Sequence, residues 1–252
     1  MDARVVADDV LWVGAVDWDR RLFDELIPLP DGTSYNAYLV RGTHATALVD
    51  AVDPTMTRTL MARLASAGAP RLDYVVCQHV EQDHAGAIPQ VLAAHPQAKV
   101  LVTPRGKRML ADHLGVADER MEAVADGQQV DLGGLRLQFV HFPWVHWPET
   151  MLTWLPERRL LFTCDLFGSH LATSELFSRD DGTVLAAAKR YYAEIMMPFR
   201  APIEARLGRV TDLTPAAIAP SHGPVYGNPG FIVDAYRDWA CSPPKNLVVL
   251  PY

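Results

Sequence analysis

The chain has 252 residues, of which 49% are hydrophobic and 21% are charged, and its formal net charge at pH 7 is -7. This length and composition are typical of a globular protein that buries a substantial core. The acidic balance argues against nucleic acid or an anionic membrane as the main partner. No stretch reaches the roughly 18 uninterrupted apolar residues of a membrane span.

The three cysteines, Cys77, Cys164 and Cys241, are widely separated and form no C-x-x-C motif. An odd number without paired spacing predicts neither a disulfide framework nor a thiolate zinc site. Residues 1–9 lack a long apolar segment, so we expect no signal peptide. Reduced thiols without a signal peptide favour a cytoplasmic protein.

In the first half of the chain, apolar strands alternate with helices. One or two strands are expected within 4–16 and single strands at 35–40, 45–50, 72–77 and 99–103, and the helices are expected at 56–67, 85–94 and 104–114. Two strands separated by a helix, as at 72–77 and 99–103, form the β-α-β rhythm of a parallel sheet.

In the second half, residues 121–155 carry short strands and turn signals that predict a β meander. Further strands are expected at 159–164 and 216–219, and helices at 184–207 and 229–240, the first broken by Pro198 and Pro202. Two strand-rich halves flanked by helices predict an α/β fold of the αββα sandwich type, with metal-binding loops along one edge.

Between the strand at 72–77 and the helix at 85–94 lies the motif His79-x-Glu81-x-Asp83-His84. Two imidazoles and two carboxylates within six residues are enough donors to begin coordination of two metal ions. The alternative, a polar surface loop, is less favoured because four such side chains crowd one short segment.

Further donors are needed from other loops, and they follow other predicted strands. Asp165 ends the strand at 159–164, His222 follows the strand at 216–219, and His146 lies in an aromatic-rich loop. His141 and His170 are weaker candidates at comparable positions. Since the ends of neighbouring strands meet at one edge of a sandwich, these donors can complete the site begun at His79.

These motifs resemble the metallo-β-lactamase-fold diiron core of the flavodiiron proteins. The resemblance includes H-x-E-x-D-H, the segments Val13–Trp18 and Gly32–Val40, His146-Trp147-Pro148-Glu149 and Cys164–Ser169, together with His222. It covers nearly the whole chain, and the metal motif is specific.

The resemblance implies seven ligands to two iron ions. One iron would be bound by His79, Glu81 and His146, and the other by Asp83, His84 and His222. Asp165 would bridge them, together with an oxo or hydroxo group.

Other polar residues have less specific expectations. His141 has no counterpart in the family and is expected to be structural, and His44, His95 and His113 to be solvated. His170 is expected to stay outside the pocket. Asp50, at the end of a strand, is either a brace for the ligand loop or an ordinary turn residue.

Glu81 favours iron over zinc, because hydrolases that resemble this fold carry histidine at this position. Glu81, Asp83 and Asp165 together provide three negative charges, and hard oxygen donors favour iron or manganese. A redox-active pair can reduce O2 or NO, whereas zinc activates only water.

The flavodiiron resemblance also implies a domain division. Residues 1–241 would form the diiron domain, and residues 242–252 a linker followed by the first strand of a flavodoxin-like domain. No flavin mononucleotide site is expected within this chain, so electrons would come from an external flavoprotein or rubredoxin-like donor. Relatives of this type form head-to-tail dimers, which makes a homodimer an expectation here.

Three functions follow as hypotheses. The first is a diiron oxidoreductase that binds and reduces O2 or NO with an external electron donor. The second is a non-catalytic O2-binding sensor that acts through a signalling partner, and the third is a dinuclear zinc hydrolase.

Overall fold

A computed structural model of the protein describes residues 2–23, 25–69 and 71–242. The strands are β1 (Arg4–Ala7), β2 (Val10–Trp12), β3 (Ala15–Asp17), β4 (Leu22–Phe23), β5 (Ile27–Pro28), β6 (Thr33–Tyr35), β7 (Tyr38–Arg41), β8 (Thr46–Val49), β9 (Tyr74–Val76), β10 (Lys99–Val102), β11 (Met121–Ala123), β12 (Gln129–Asp131), β13 (Arg136–His141), β14 (Met151–Leu155), β15 (Leu160–Cys164) and β16 (Ala217–Pro220). The α-helices are α1 (Thr57–Ser66), α2 (Gln82–Ala85), α3 (Ile88–Ala94), α4 (Pro104–Leu114), α5 (Gly182–Tyr191), α6 (Arg200–Asp212) and α7 (Pro229–Cys241). Short 3-10 segments lie at Pro54–Met56, Asp118–Arg120, Pro156–Arg158 and Met197–Phe199, and a π segment lies at Tyr192–Met196.

Two large sheets organise the chain. The first has the strand order β1-β2-β7-β8-β9-β10-β11, and the second has the order β12-β13-β14-β15-β16. Strands β8 to β11 run parallel, as the predicted β-α-β rhythm requires, whereas β12 to β15 run antiparallel. Two small ribbons, β3 with β6 and β4 with β5, complete the strand pairs.

Successive side chains of a strand point to opposite faces of its sheet, so each sheet has an inner and an outer face. The two sheets pack against each other through their inner faces. In β7, Tyr38 and Val40 belong to the core between the sheets, and Leu39 belongs to the outer core beneath α1, α3 and α4. In β15, Phe162 faces inward, and Leu161 faces α5 to α7. This layering confirms the predicted αββα sandwich.

One edge of the sandwich collects several strand ends. Asp50 follows β8, Cys77 follows β9, Asp165 follows β15 and Ser221 follows β16. Strand β8 is parallel to β9, and β15 is parallel to β16, so within each pair the chain leaves the sheet at the same edge. The loops that follow these strands are therefore brought side by side.

Three details of the predicted elements are wrong. The helix expected at 85–94 is preceded by a separate short helix, α2, so Asp83 and His84 lie on a helix rather than in a loop. Within the expected meander, β11 pairs with β10 in the first sheet. Pro202 lies in the first turn of α6, where backbone N–H groups have no acceptor within the helix, so proline costs no hydrogen bond there. The helix is therefore broken only near Pro198.

Two expectations concern the ends of the chain and its relation to membranes. The predicted linker and first strand of a flavodoxin-like domain at 242–252 lie, apart from Ser242, outside the described residues. Among the helices that the structure describes, none has the length and apolar character needed to cross a membrane.

The core between the sheets yields a stability prediction. Phe139 of β13 is fully buried there, and truncation to alanine leaves a cavity that its neighbours cannot fill. We expect Phe139→Ala to lower the free energy of unfolding by about 3–5 kcal/mol in urea denaturation. Phe177→Ala is the matched control, because Phe177 is 39% exposed, and its cost should stay below about 1 kcal/mol. Equal losses for both variants would contradict the assigned core.

Candidate metal centre

The metal-binding motif is placed by the end of β9 and the start of α2. The chain leaves the first sheet at Val76, and Glu81 occupies the N-cap of α2 in an extended conformation. His79, Asp83 and His84 are buried, and Glu81 is only slightly exposed. The motif therefore directs four ionisable side chains into the edge of the sandwich.

Asp165 lies at the centre of the donors, and one of its oxygens faces the first group. Its Oδ2 atom is 3.5 Å from Nε2 of His79 and 3.4 Å from Nε2 of His146. The Glu81 carboxylate lies 3.0 Å from the same His79 atom and 3.2 Å from that of His146. These four residues form a compact group of metal-ligand type.

The second oxygen of Asp165 faces the second group. Its Oδ1 atom is 3.1 Å from Nε2 of His84 and 3.5 Å from Nε2 of His222. Asp83 approaches the same two imidazoles, at 3.3 Å from His84 and 3.1 Å from His222. The structure thus brings together all seven predicted ligands, in two groups that share one carboxylate.

The donor set fits two metal ions. Both carboxylate oxygens of Asp83 and Nε2 of His84 are buried and have no well-formed hydrogen bond within the described part of the chain. Buried polar atoms without partners cost free energy, and a coordinated cation would satisfy all three at once. Four imidazoles and three carboxylates match the oxygen- and nitrogen-rich sites of first-row transition metals.

Electrostatics within the group are strongly coupled. Burial alone would lower the pKa of His146 and His222, but hydrogen bonds with the nearby carboxylates raise these pKa values to about 9 and about 10. Burial would raise the pKa of Asp165, yet the surrounding imidazoles, His84 foremost, hold it well below its usual range. Protons on the imidazoles balance the carboxylates, and bound cations would replace those protons.

Two of the four imidazoles, His79 and His222, are oriented by hydrogen bonds on their far side. His79 donates from Nδ1 to Oε1 of Glu149 at 2.7 Å, and the same oxygen accepts from the Val80 amide at 3.0 Å. His222 donates from Nδ1 to the Ser34 carbonyl at 2.7 Å. Such contacts fix the tautomer, so that Nε2 of each ring points to the centre.

Of the two roles expected for Asp50, the structure supports the brace for the ligand loop rather than the ordinary turn residue. Its carboxylate accepts hydrogen bonds from the backbone and side-chain amides of Gln78, both at 2.8 Å, and from the Ser221 hydroxyl at 3.2 Å. Gln78 precedes His79, and Ser221 precedes His222. One buried carboxylate therefore connects the two loops that carry ligands from different sheets.

Sequence reasoning missed three supporting residues. Glu149 belongs to a segment that already signalled the family, so its role could have been suspected. Tyr191, in the middle of a helix, donates from its hydroxyl to Oδ1 of Asp165 at 2.7 Å. Asn36 donates to the Pro220 and Gly223 carbonyls on either side of His222.

The remaining histidines divide into three cases. His44 and His113 are exposed, as expected. His141 is half-buried, and its Nε2 contacts the Val124 carbonyl at 3.1 Å, which agrees with a structural role. His95 was expected to be solvated, but it is buried at the end of α3, where Arg120 binds its carbonyl oxygen.

His170 packs against the ligand His222 but is not among the residues that line the cavity at the donors, as expected. It is buried, its Nδ1 lies 2.8 Å from the Thr33 hydroxyl, and its ring centroid is 4.7 Å from that of His222. Burial holds the pKa of His170 well below its usual range, so the ring is neutral. His170 thus supports a ligand from outside the cavity.

A cavity of about 170 Å³ opens onto the donors. Its described lining consists of Phe23, Ile27, Glu81, His146, Asp165, Tyr191, Glu194, Ile195 and His222. This volume is several times the roughly 30 Å³ that one water occupies in the liquid. Small molecules therefore have room beside the seven donors.

The contact between Glu149 and His79 yields a prediction. Loss of this carboxylate frees the His79 ring, so Glu149→Ala should weaken metal binding by about 10–100-fold. Competition with a chromophoric chelator would measure the affinity. Glu119→Ala is the matched control, because Glu119 is exposed, and its affinity should match that of the unchanged protein. Unchanged affinity in Glu149→Ala would refute this orienting role.

Comparison with known proteins agrees with this geometry. A nitric oxide reductase from Moorella thermoacetica is 40% identical over 98% of this chain and 63% of its own length. Among solved structures, the rubredoxin oxygen:oxidoreductase from Desulfovibrio gigas has a TM-score of 0.92 and 31% identity, covering 96% of this chain and 62% of that one. The flavodiiron protein from Giardia intestinalis has a TM-score of 0.90 and 27% identity, covering 94% and 59%.

The chain spans less than two thirds of the length of each of these relatives. The predicted resemblance to flavodiiron cores is confirmed, because the rubredoxin oxygen:oxidoreductase and the Giardia intestinalis flavodiiron protein share the fold of this chain. A family model described as "ODP family beta lactamase" matches residues 33–223, which include all seven candidate ligands. The chain belongs to this ODP family of beta lactamases.

Proposed function

We propose that this protein is a non-haem diiron protein that binds and reduces O2 or NO with electrons from an external donor. The observation that carries the proposal is the Asp165 carboxylate, whose two oxygens face two separate groups of three donors. His79, Glu81 and His146 would hold one iron, and Asp83, His84 and His222 the other, with Asp165 bridging the pair. Such a pair would pass electrons from the external donor to a diatomic molecule in the cavity.

The choice of iron rests on the charge of the donors. The carboxylates of Glu81, Asp83 and Asp165 place three negative charges against two cations, and hard oxygen ligands favour iron or manganese. Burial excludes bulk water from these charges, so their effect on the oxidation state is not screened. The relatives named as reductase or oxidoreductase support the same chemistry.

The β4–β5 ribbon beside the cavity offers a surface on which an external electron donor could bind. Leu22 and Leu26 are 41% and 63% exposed, on the β4–β5 ribbon whose Phe23 and Ile27 line the cavity. Exposed apolar side chains gathered at one place are typical of an interaction site. A rubredoxin-like or flavoprotein donor is proposed here, in accordance with the name of the Desulfovibrio gigas relative. A cytoplasmic location, where thiols stay reduced, agrees with the free cysteines.

The first prediction from this proposal concerns metal content and reactivity. Protein from iron-supplemented cells should contain two irons per chain by elemental analysis, since the seven donors form two groups. With excess external reductant present, exposure to O2 or NO should reoxidise the irons rapidly and repeatedly, with water or N2O as the product. The excess is needed because reduction of O2 to water takes four electrons and two ferrous ions hold only two. The measurement is stopped-flow absorbance together with product analysis.

Other outcomes of that experiment separate the alternatives. Two irons with a long-lived coloured adduct and no product would favour the O2 sensor. Two zincs, with iron excluded even under anaerobic loading, would favour the hydrolase and contradict the proposal.

The second prediction concerns Glu81. Glu81→His removes one negative charge from the site, so the ratio of iron to zinc affinity should fall on the order of tenfold, which corresponds to about 1.4 kcal/mol. Reoxidation by O2 should slow accordingly. Competitive loading with both metals followed by elemental analysis measures the ratio. Glu119→His, at an exposed position, is the control and should leave the ratio unchanged.

A further inference from the structure

The wall of the cavity includes a helical segment whose residues are not among the seven candidate metal ligands. Helix α5 ends at Tyr191, and the chain continues through the π segment Tyr192–Met196. Residues three and four positions apart share one face of a helix, and Tyr191, Glu194 and Ile195 all line the cavity. π segments inside helices occur frequently at functional sites. This segment places a carboxylate, Glu194, at the cavity.

Glu194 differs from every other carboxylate in the described lining. Glu81 and Asp165 contact imidazoles at the centre, whereas Glu194 forms no hydrogen bond or ion pair with any described residue. Its side chain is half-buried, so it reaches both the cavity and the outside. Burial raises its pKa above the usual value for glutamate, and only the charge of Arg190 opposes this shift.

The charged and titratable groups around Glu194 come from several elements. The ligands Glu81, His146, Asp165 and His222 line the same cavity, and the Tyr191 hydroxyl is committed to Asp165. Arg190, one turn before Glu194, is paired with Asp31. The β4–β5 ribbon contributes only the apolar Phe23 and Ile27 among its described lining residues. Glu194 is therefore the one described group here that is free to exchange protons.

We propose that Glu194 delivers protons from solvent to the O2 or NO that occupies this cavity. The proposal rests on the proposed function. Reduction of one O2 to two waters takes four electrons and four protons, and reduction of two NO to N2O and water takes two of each. The external donor supplies the electrons. In each proton transfer the Glu194 O–H bond breaks, an O–H bond forms on the product oxygen, and the carboxylate takes up a proton from hydronium or buffer acid in the solvent.

The test compares three variants under the same external donor. Glu194→Gln removes the acidic proton at nearly constant shape and should lower turnover by about 100-fold, in the range of a lost general acid. Glu194→Asp should retain most of the turnover, because it restores a carboxyl group. Glu204→Gln, on the exposed face of α6, is the control and should match the unchanged protein. Acetic acid should partly rescue a Glu194→Ala variant, since a small acid can enter the vacated space.

A second measurement does not depend on turnover. In the metal-free protein with 13C-labelled glutamate carboxyl groups, one NMR signal should titrate above the ordinary glutamate pKa of about 4.3 and disappear in Glu194→Gln. The signal should persist in Glu204→Gln.

The outcomes separate this proposal from the proposed function. If the unchanged protein holds two irons and reduces neither O2 nor NO, the proposed function fails. If the unchanged protein is active and Glu194→Gln matches it, the proton-delivery role of Glu194 is overturned while the proposed function stands. A loss of turnover that acetic acid does not rescue, together with an ordinary titration of Glu194, would also overturn it, because the variant would then act through structure.

Discussion

The carboxylate of Asp165 is the contact on which the site depends. It directly follows β15 of the second sheet, yet it meets His79 and His84, which follow β9 of the first sheet. A single carboxylate between two groups of imidazoles is stable only when positive charge surrounds it, because a buried unpaired anion costs several kcal/mol. The sandwich supplies that charge from both sheets, and this requirement explains why four separate strand ends converge at one edge.

Support for the ligands comes from ordinary polar residues at their far side. Glu149 holds His79, the Ser34 carbonyl holds His222, and Asp50 connects the loops before both ligands. None of these residues belongs to the metal motif. Their contacts set the direction of the His79 and His222 imidazoles, so the geometry of these two ligands is determined by the folded sheets rather than by the metal alone.

Much of this arrangement was predictable from the sequence, for reasons that differ between residues. The dense motif from His79 to His84 signals metal chemistry locally, and Asp165 and His222 follow apolar strands whose ends must meet in a sandwich. Glu149 and Tyr191 carry no such signal, because a glutamate in a loop or a tyrosine in a helix acquires its role only from its neighbours in space. The burial of His95 was missed for the same reason.

The order of the donors along the chain has a consequence for maturation of the protein. Four of them lie between residues 79 and 84, but the others lie at 146, 165 and 222, so each group of donors draws on both sheets. During synthesis, the second group stays incomplete until β16, the last strand among the described residues, has emerged and docked beside β15. A cation that needs His222 can thus be captured only by a domain that has already assembled. Metal acquisition by this second group is therefore a late event that follows the docking of the two sheets.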